Sequence, residues 1–182
     1  AGARLAEIGV AADLRLVEPH DLLPEYGPYV AVVSRMVLHH VPMHPSDQVG
    51  EWVSSVAPGG VVAVAEGPPP VADHRHPAVA LYRAMMALKE PGRHVFHAWE
   101  VAEWLLRAGC DEVATYERWT DGNSVRAWLA GSGVDGWRAE AILALGREAE
   151  PAAHAAYRLV ETEDGDVTMR WRHSCVIGHK CL

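Results

Sequence analysis

The amino-acid sequence predicts an α/β fold with a mostly parallel sheet, and two apolar runs joined by an amphipathic helix carry that prediction. Residues 30–34 (VAVVS) and 61–66 (VVAVAE) have the near-continuous apolar composition of strands buried on both faces of a parallel sheet. Between them, Val49, Trp52 and Val53 recur at helical spacing. A strand, a helix and a second strand at this spacing form a βαβ unit, whose crossover favours parallel strands.

The other predicted elements fit one α/β domain of 182 residues. In chain order the prediction gives the end of a helix at 1–12, a strand at 14–18, the strand at 30–34, a helix from Pro45 to the APGG turn at 57–60, the strand at 61–66, a helix around 80–88, a helix from near Trp99 to Gly109, a strand at 112–119, a helical insertion at about 123–157, and two strand-like runs around the turn at 163–166.

Composition and charge indicate which kinds of partner the protein can bind. The chain is 49% hydrophobic and 22% charged, as in ordinary globular proteins, and no apolar run is long enough to suggest a membrane span. A formal net charge of −8 argues against nucleic-acid binding, which needs a basic face. Three cysteines without metal-type spacing indicate neither a disulfide framework nor a zinc knuckle. We therefore expect a cytoplasmic protein with a small-molecule partner.

Four local motifs, in their order along the chain, resemble the class I S-adenosylmethionine-dependent methyltransferases, especially the group that acts on small molecules. They are VVSRMVLHHVP at 32–42, SSVAPGGVVAVAE at 54–66, HAWEVAEWLLRAGCDEV at 97–113 and VTMRWRHSCVIGHK at 167–180. The resemblance implies a Rossmann-like sheet with an antiparallel last strand. It also implies transfer of a methyl group from S-adenosylmethionine to a small-molecule acceptor.

Two features of that family are missing from the sequence. Its members begin with a strand that ends in a glycine-rich turn, followed by a second strand that ends in an acidic residue. The resemblance therefore implies the C-terminal part of a methyltransferase domain, with the first two strands of the family order 3-2-1-4-5-7-6 absent. The strand at 30–34 would then expose an apolar edge. We expect an incomplete sequence, a partner chain that supplies the missing half, or a sheet that is rearranged or completed by a homodimer.

The resemblance implies a cofactor site at the carboxyl ends of the first strands. Its candidate residues are Asp21, Leu22, Ser34, Arg35, Met36 and His39. A carboxylate at Asp21 suits the adenine amino group, although a short polar side chain is equally typical of a turn or cap, and His20 is an alternative for the same position. Arg35 has the alternative of a salt bridge to a nearby carboxylate.

Methyl transfer needs alignment of the acceptor more than it needs a dedicated base. If the acceptor is a hydroxyl or a phenol, His40 or His94 is the candidate general base, because histidine titrates near neutral pH.

The candidate substrate-binding residues are Arg93, His97 and Trp119. Arg93 and His97 lie in a predicted loop between helices, where substrate contacts are common. The alternatives are that Arg93 is solvated and that His97 caps the following helix. Trp119, together with Trp128 and Trp171, is a candidate for lining a pocket beside the helical insertion, although core burial is the usual fate of a tryptophan.

A metal site is not expected among the neighbouring histidines. His39, His40 and His44 are close in sequence, but Pro42 and Pro45 break the helix that would align them. The family has a histidine pair at this place without a metal, so we expect one core histidine and one that faces the pocket.

Two other functions remain open on the same fold. A methyltransferase-like subunit that has lost cofactor binding would serve as a non-catalytic scaffold, and the missing glycine-rich turn favours it. A cofactor-independent cyclase or isomerase is the other, because a fold does not fix a function.

Overall fold

The computed structural model describes residues 27–182, which form four long strands, a short fifth strand and six α-helices. In chain order they are β1 (Tyr29–Arg35), a 3₁₀ turn (Leu38–His40), α1 (Pro45–Ser55), β2 (Val56–Glu66), α2 (Pro77–Lys89), α3 (Ala98–Arg107), β3 (Cys110–Ser124), α4 (Val125–Gly131), α5 (Gly136–Arg147), α6 (Pro151–Tyr157), β4 (Val160–Glu161) and β5 (Val167–Lys180). Within residues 27–182, the helices all fall short of the length and apolar character needed to cross a bilayer. The predicted helix at 1–12 and strand at 14–18 lie outside the described residues.

The sheet has the order β1-β2-β5-β3, and β4 pairs with β5. β1 and β2 are parallel, whereas β5 runs antiparallel to both β2 and β3. The α/β fold and the antiparallel last strand are as predicted. The sheet is less parallel than predicted. Because the antiparallel β5 lies between β2 and β3, β1 and β2 are the one pair of neighbouring strands in residues 27–182 that run parallel.

The segment APGG, predicted as a turn, is instead the first part of β2. Tyr29 of β1 pairs with Val56 and Ala31 pairs with Val61, so β2 contains additional residues between these two pairs and forms a bulge. A Cβ at Gly60 would lie 2.3 Å from a methyl of Val56 and 2.9 Å from two backbone carbonyl oxygens. Only glycine fits this position, so the glycine that suggested a turn allows the bulge instead.

Two apolar clusters hold the layers together. In the first, α1 and α3 pack on the sheet through Val49, Trp52, Val101 and Leu105, and their partners in the strands include Val62. In the second, α2 and the three helices of 125–157 pack against the start of β5; its members include Met85, Leu129, Ile142, Tyr157, Val167 and Met169. The segment predicted as one helical stretch is thus three helices with their own shared core.

Local signals set the helix starts. Pro45 and Pro77 begin α1 and α2 at a position where proline's missing N–H costs nothing. The imidazoles of His44 and His76 accept hydrogen bonds from Ser46 N and Ala78 N. The predicted helix near Trp99 is confirmed as α3, whose Glu100 accepts a hydrogen bond from the backbone N–H of His97 at 2.7 Å. The predicted hairpin around 163–166 is also present, as β4 and β5.

Candidate functional site

The carboxyl ends of β1 and β2 meet at one edge of the sheet, because the two strands are parallel. Open α/β sheets bind ligands at this edge. Directly after β1, Met36 adopts a φ of 56°, which is uncommon for a residue with a side chain, and its N–H donates to Ala65 O at 2.8 Å. The chain therefore turns sharply at Met36 and stays beside β2.

Glu66, the last residue of β2, fixes the loop that follows β1. Its carboxylate accepts hydrogen bonds from Val37 N at 3.1 Å, Leu38 N at 2.9 Å and His39 Nδ1 at 2.5 Å. Both Glu66 and His39 are buried. Burial lowers the pKa of His39 and outweighs the opposite effect of the Glu66 carboxylate. The imidazole is therefore neutral at neutral pH and donates its Nδ1–H to Glu66.

The loop between α2 and α3 closes over this turn. His94 N donates to His39 O at 3.1 Å, and His94 Nε2 lies 3.1 Å from Val41 O. A carbonyl oxygen can only accept, so Nε2 carries the hydrogen and neutral His94 has Nδ1 as its acceptor. A cleft of about 310 Å³ separates the two loops; its lining comprises His39, His40, Val41, Pro42, Glu90, Pro91, Gly92, Arg93 and His94.

Charged side chains line the wall of this cleft. Nδ1 of His40 contacts the Glu90 carboxylate, and the side chain of His40 is 46% exposed. Arg93 lies 3.6 Å from the same carboxylate and contacts the Tyr82 hydroxyl at 3.4 Å. The ligand atoms of His39, His40 and Glu90 also lie within 4.8 Å of one another. As expected, one histidine of the pair belongs to the core and the other is open to the cleft.

A second, apolar cavity adjoins the cleft and shares Arg93 with it. Its volume is about 100 Å³, and its lining comprises Met36, Gly67, Pro68, Tyr82, Met85, Met86, Arg93, Trp128, Tyr157, Met169, Trp171, Arg172 and His173. The rings of Trp128 and Trp171 meet edge to face at 5.3 Å. An empty apolar space of this size is large enough for a compact apolar group.

The predicted cofactor residues that the structure describes lie at or directly after the carboxyl end of β1. Ser34 is buried, and its hydroxyl has no hydrogen-bond partner within residues 27–182. Arg35 is exposed, and Met36 lines the apolar cavity. Asp21 and Leu22 lie outside the described residues.

The structure brings His39, His40, Arg93 and His94 together in the cleft but places His97 and Trp119 elsewhere. His97 is buried, and its ring packs against His74 and Trp99. His97 is the N-cap residue of α3, and its backbone N–H donates to Glu100 Oε2, in agreement with the alternative that His97 caps the following helix. Trp119 on β3 packs under the guanidinium of Arg170 at 4.0 Å. Neither residue lines the cleft or the cavity.

The sequence analysis missed Glu66, Tyr82 and Glu90. Glu66 carried a usable signal, because a carboxylate that ends an apolar strand lies at the ligand-binding edge of an α/β sheet. No sequence signal indicated Tyr82 or Glu90, because the packing of α2 determines that these two residues lie at the site. Met85 and Met86 of α2 are buried and also line the apolar cavity.

Solved structures with a similar fold identify the architecture. A proposed methyltransferase, BH2331 from Bacillus halodurans, superposes with a TM-score of 0.77 at 16% identity, covering 100% of this chain and 86% of its own. The YcgJ protein from Bacillus subtilis gives a TM-score of 0.78 at 14% identity, covering 100% of this chain and 76% of its own. The chain has a methyltransferase-like fold. Identities this low show the fold alone.

Sequence comparisons add nothing to that result. No protein-family model matches the chain, and no curated protein matches it.

A third solved structure is less similar. The [4+2]-cyclase SpnF gives a TM-score of 0.49 at 17% identity, covering 100% of this chain and 61% of its own. That similarity is too low to bear on fold or activity.

Proposed function

We propose that this chain is part of an S-adenosylmethionine-dependent methyltransferase that acts on a small molecule. The observation that carries the proposal is the pairing of a methyltransferase-like fold with an apolar cavity and a polar cleft, which meet at Arg93 on the ligand-binding edge of the sheet. One space suits the body of an acceptor, and the other supplies the polar side chains beside it.

The residues at the end of β1 fit a polar cofactor. Ser34 has a buried hydroxyl without a partner, and such groups are normally satisfied by a ligand, a water or a neighbour. Ser34, Arg35, Met36 and His39 would hold the cofactor here, with Asp21 and Leu22 as proposed contacts outside the described residues. The bound cofactor would supply a methyl group on an activated sulfonium.

The apolar cavity suits a compact, flat part of the acceptor, because its lining is dominated by methionine and aromatic side chains. Arg93 borders it and has a buried Nε without a hydrogen-bond partner in residues 27–182. An oxygen on the acceptor would satisfy that donor. We therefore propose Arg93 as the substrate-orienting residue, with Trp128 and Trp171 in the pocket-lining role predicted for them together with Trp119.

Two histidines are proposed as alternative bases. His40 donates Nδ1–H to Glu90, which leaves Nε2 as the acceptor and holds the ring in place. His94 is held through Nε2, which leaves Nδ1. Either nitrogen can take a proton from a hydroxyl acceptor, and the Glu90 carboxylate would stabilise the resulting imidazolium of His40.

Calorimetric titration of the full chain with S-adenosylhomocysteine tests the proposal. We expect saturable binding that Ser34→Ala weakens and Ser54→Ala leaves unchanged, because the Ser54 hydroxyl donates to Gly50 O within α1, in the turn that leads into the start of β2. Incubation with methyl-labelled S-adenosylmethionine and a panel of small phenols and acids then tests transfer. Absence of cofactor binding would contradict the proposal and favour the scaffold function.

A further inference from the structure

A second group of metal-ligand side chains lies where the loop after β2 meets the start of α3. His74 belongs to the loop, His97 directly precedes α3, and Glu100 lies in its first turn. One ligand atom from each residue lies within 4.8 Å of the ligand atoms of the other two. None of the three lines the cleft or the apolar cavity. The proposed methyltransferase site therefore does not account for this group.

His97 is the member that points to a ligand. It is 1% exposed, yet neither of its ring nitrogens has a hydrogen-bond partner within residues 27–182. Its ring meets the ring of His74 edge to face at 4.8 Å, and Trp99 stacks beside it. Buried polar atoms in native proteins nearly always have partners, so an imidazole left without one needs an explanation. A metal ion between His97 and its neighbours provides that explanation.

Glu100 is already held in position for the same purpose. Its Oε2 accepts the backbone N–H of His97 at 2.7 Å, which fixes the carboxylate next to the imidazole and leaves Oε1 available. His74 is exposed and can adjust its side chain to complete the group. Within the described part of the chain, Arg83 and Arg172 lie near enough to act on His97, but Arg83 is exposed to solvent and Arg172 is paired with Glu117. Neither places an unpaired buried charge beside the group.

The cleft group of His39, His40 and Glu90 is a weaker candidate. The Nδ1 atoms of its two histidines already bond to Glu66 and Glu90, and the guanidinium of Arg93 lies 3.6 Å from the Glu90 carboxylate. A divalent cation there would have to displace these bonds and lie close to Arg93. By contrast, the two ring nitrogens of His97 have no hydrogen-bond partner among the residues that the structure describes.

We propose that His74, His97 and Glu100 bind a divalent transition-metal ion of the zinc type. Two imidazoles and one carboxylate are a known ligand set for zinc with one position left open, whereas magnesium and calcium prefer oxygen ligands throughout. The ion tethers the loop at 67–76 to α3. Because Gly67 and Pro68 of this loop line the apolar cavity, the ion also steadies one wall of that cavity.

The test is titration of the chelator-treated chain with Zn²⁺ by calorimetry and with Co²⁺ by visible absorption. We expect saturable binding of one ion per chain, with the Co²⁺ bands of a four-coordinate nitrogen and oxygen site. His74→Ala removes an exposed ligand without disturbing the core, and we expect affinity to fall by about tenfold or more. Glu100→Gln keeps an acceptor for the His97 N–H and should weaken binding as well.

Two histidine variants serve as matched controls. His76→Asn lies in the same loop, keeps a capping side chain on α2 and should bind the ion as the parent does. His40→Ala removes a ligand of the cleft group and should also leave the affinity unchanged. No saturable uptake, full affinity in His74→Ala, or loss of binding in His40→Ala instead would each overturn the proposal. Circular dichroism of every variant separates loss of a ligand from loss of the fold.

Discussion

At the level of single residues, Glu66 connects the two strands that form the ligand-binding edge. Its buried carboxylate accepts three hydrogen bonds from the loop after β1. Glu66→Gln keeps the shape but weakens all three, so we expect a loss of about 1–3 kcal/mol in the free energy of unfolding. Urea denaturation measures this free energy. As a control, Glu103→Gln removes an exposed ion pair with Arg107 and should lower the free energy of unfolding by less than about 0.5 kcal/mol. Equal losses in the two variants would contradict this account of Glu66.

Buried histidines predict how stability depends on pH. Burial lowers the pKa values of His39, His97 and His173 from the ordinary value of 6.5. The unfolded chain therefore binds more protons than the folded protein below about pH 6.5, so the free energy of unfolding falls as pH drops through that range. Urea denaturation between about pH 7.5 and 5 checks the direction. An equal free energy of unfolding at the two pH values would refute this prediction. His39→Gln should make the free energy of unfolding depend less on pH.

The sequence predicted some residues of the site better than others. His39 was predicted from the family resemblance, His40 and His94 from the titration range of histidine, and Arg93 from its position in a loop between helices. All four line the cleft. The contact of Tyr82 with Arg93 was beyond the sequence, because it depends on how α2 packs. The approach of His74 to His97 was equally hidden, since the two belong to separate loops.

Among the structural elements, the bulge in β2 is the most sensitive to a single atom. In Gly60→Ala the new Cβ would collide with Val56 and with backbone carbonyls, so we expect a loss of at least about 1–3 kcal/mol in the free energy of unfolding. Gly50 in α1 has open space around its Cβ position, and Gly50→Ala should gain about 0.5–1 kcal/mol. Thermal or urea unfolding of both variants checks the contrast. A neutral Gly60→Ala would mean that the bulge rearranges freely.

Elements with a strong period were predictable, and those set by packing were not. The helices α1, α2 and α3 and the strands β1 and β5 follow apolar patterns that the sequence displays. The residues APGG read as a turn because proline and glycine usually end an element, and only pairing with β1 extends β2 through them. The division of 125–157 into three helices followed glycine and proline signals that the prediction did not use.

On the scale of the whole molecule, β1 exposes apolar side chains at one side of the sheet. Val30 and Val33 are 84% and 75% exposed, and within residues 27–182 β1 pairs with β2 alone. β3, at the other side of the sheet, is instead rich in charged residues, which protect a strand edge from association. The expectation that a further strand, a partner chain or a second copy covers β1 stays a proposal, supported by this exposure.

Self-association of the chain provides a measurement of that edge. We expect the apparent mass in sedimentation to rise with concentration, and Val33→Lys to reduce the effect by placing a charge on the exposed strand. Tyr116→Lys makes the same change at an exposed position on β3 and should have little effect. If Tyr116→Lys were the variant that suppressed association, or if the parent stayed monomeric throughout, β1 would not be the associating edge.

The position of β5 has a consequence for the time course of synthesis. β5 follows every other described strand along the chain, yet it lies between β2 and β3 and supplies the hydrogen bonds that join them. A nascent polypeptide that has reached only α6 holds β3 without its neighbour in the sheet. The join between β2 and β3 can therefore form only after β5 has been synthesised.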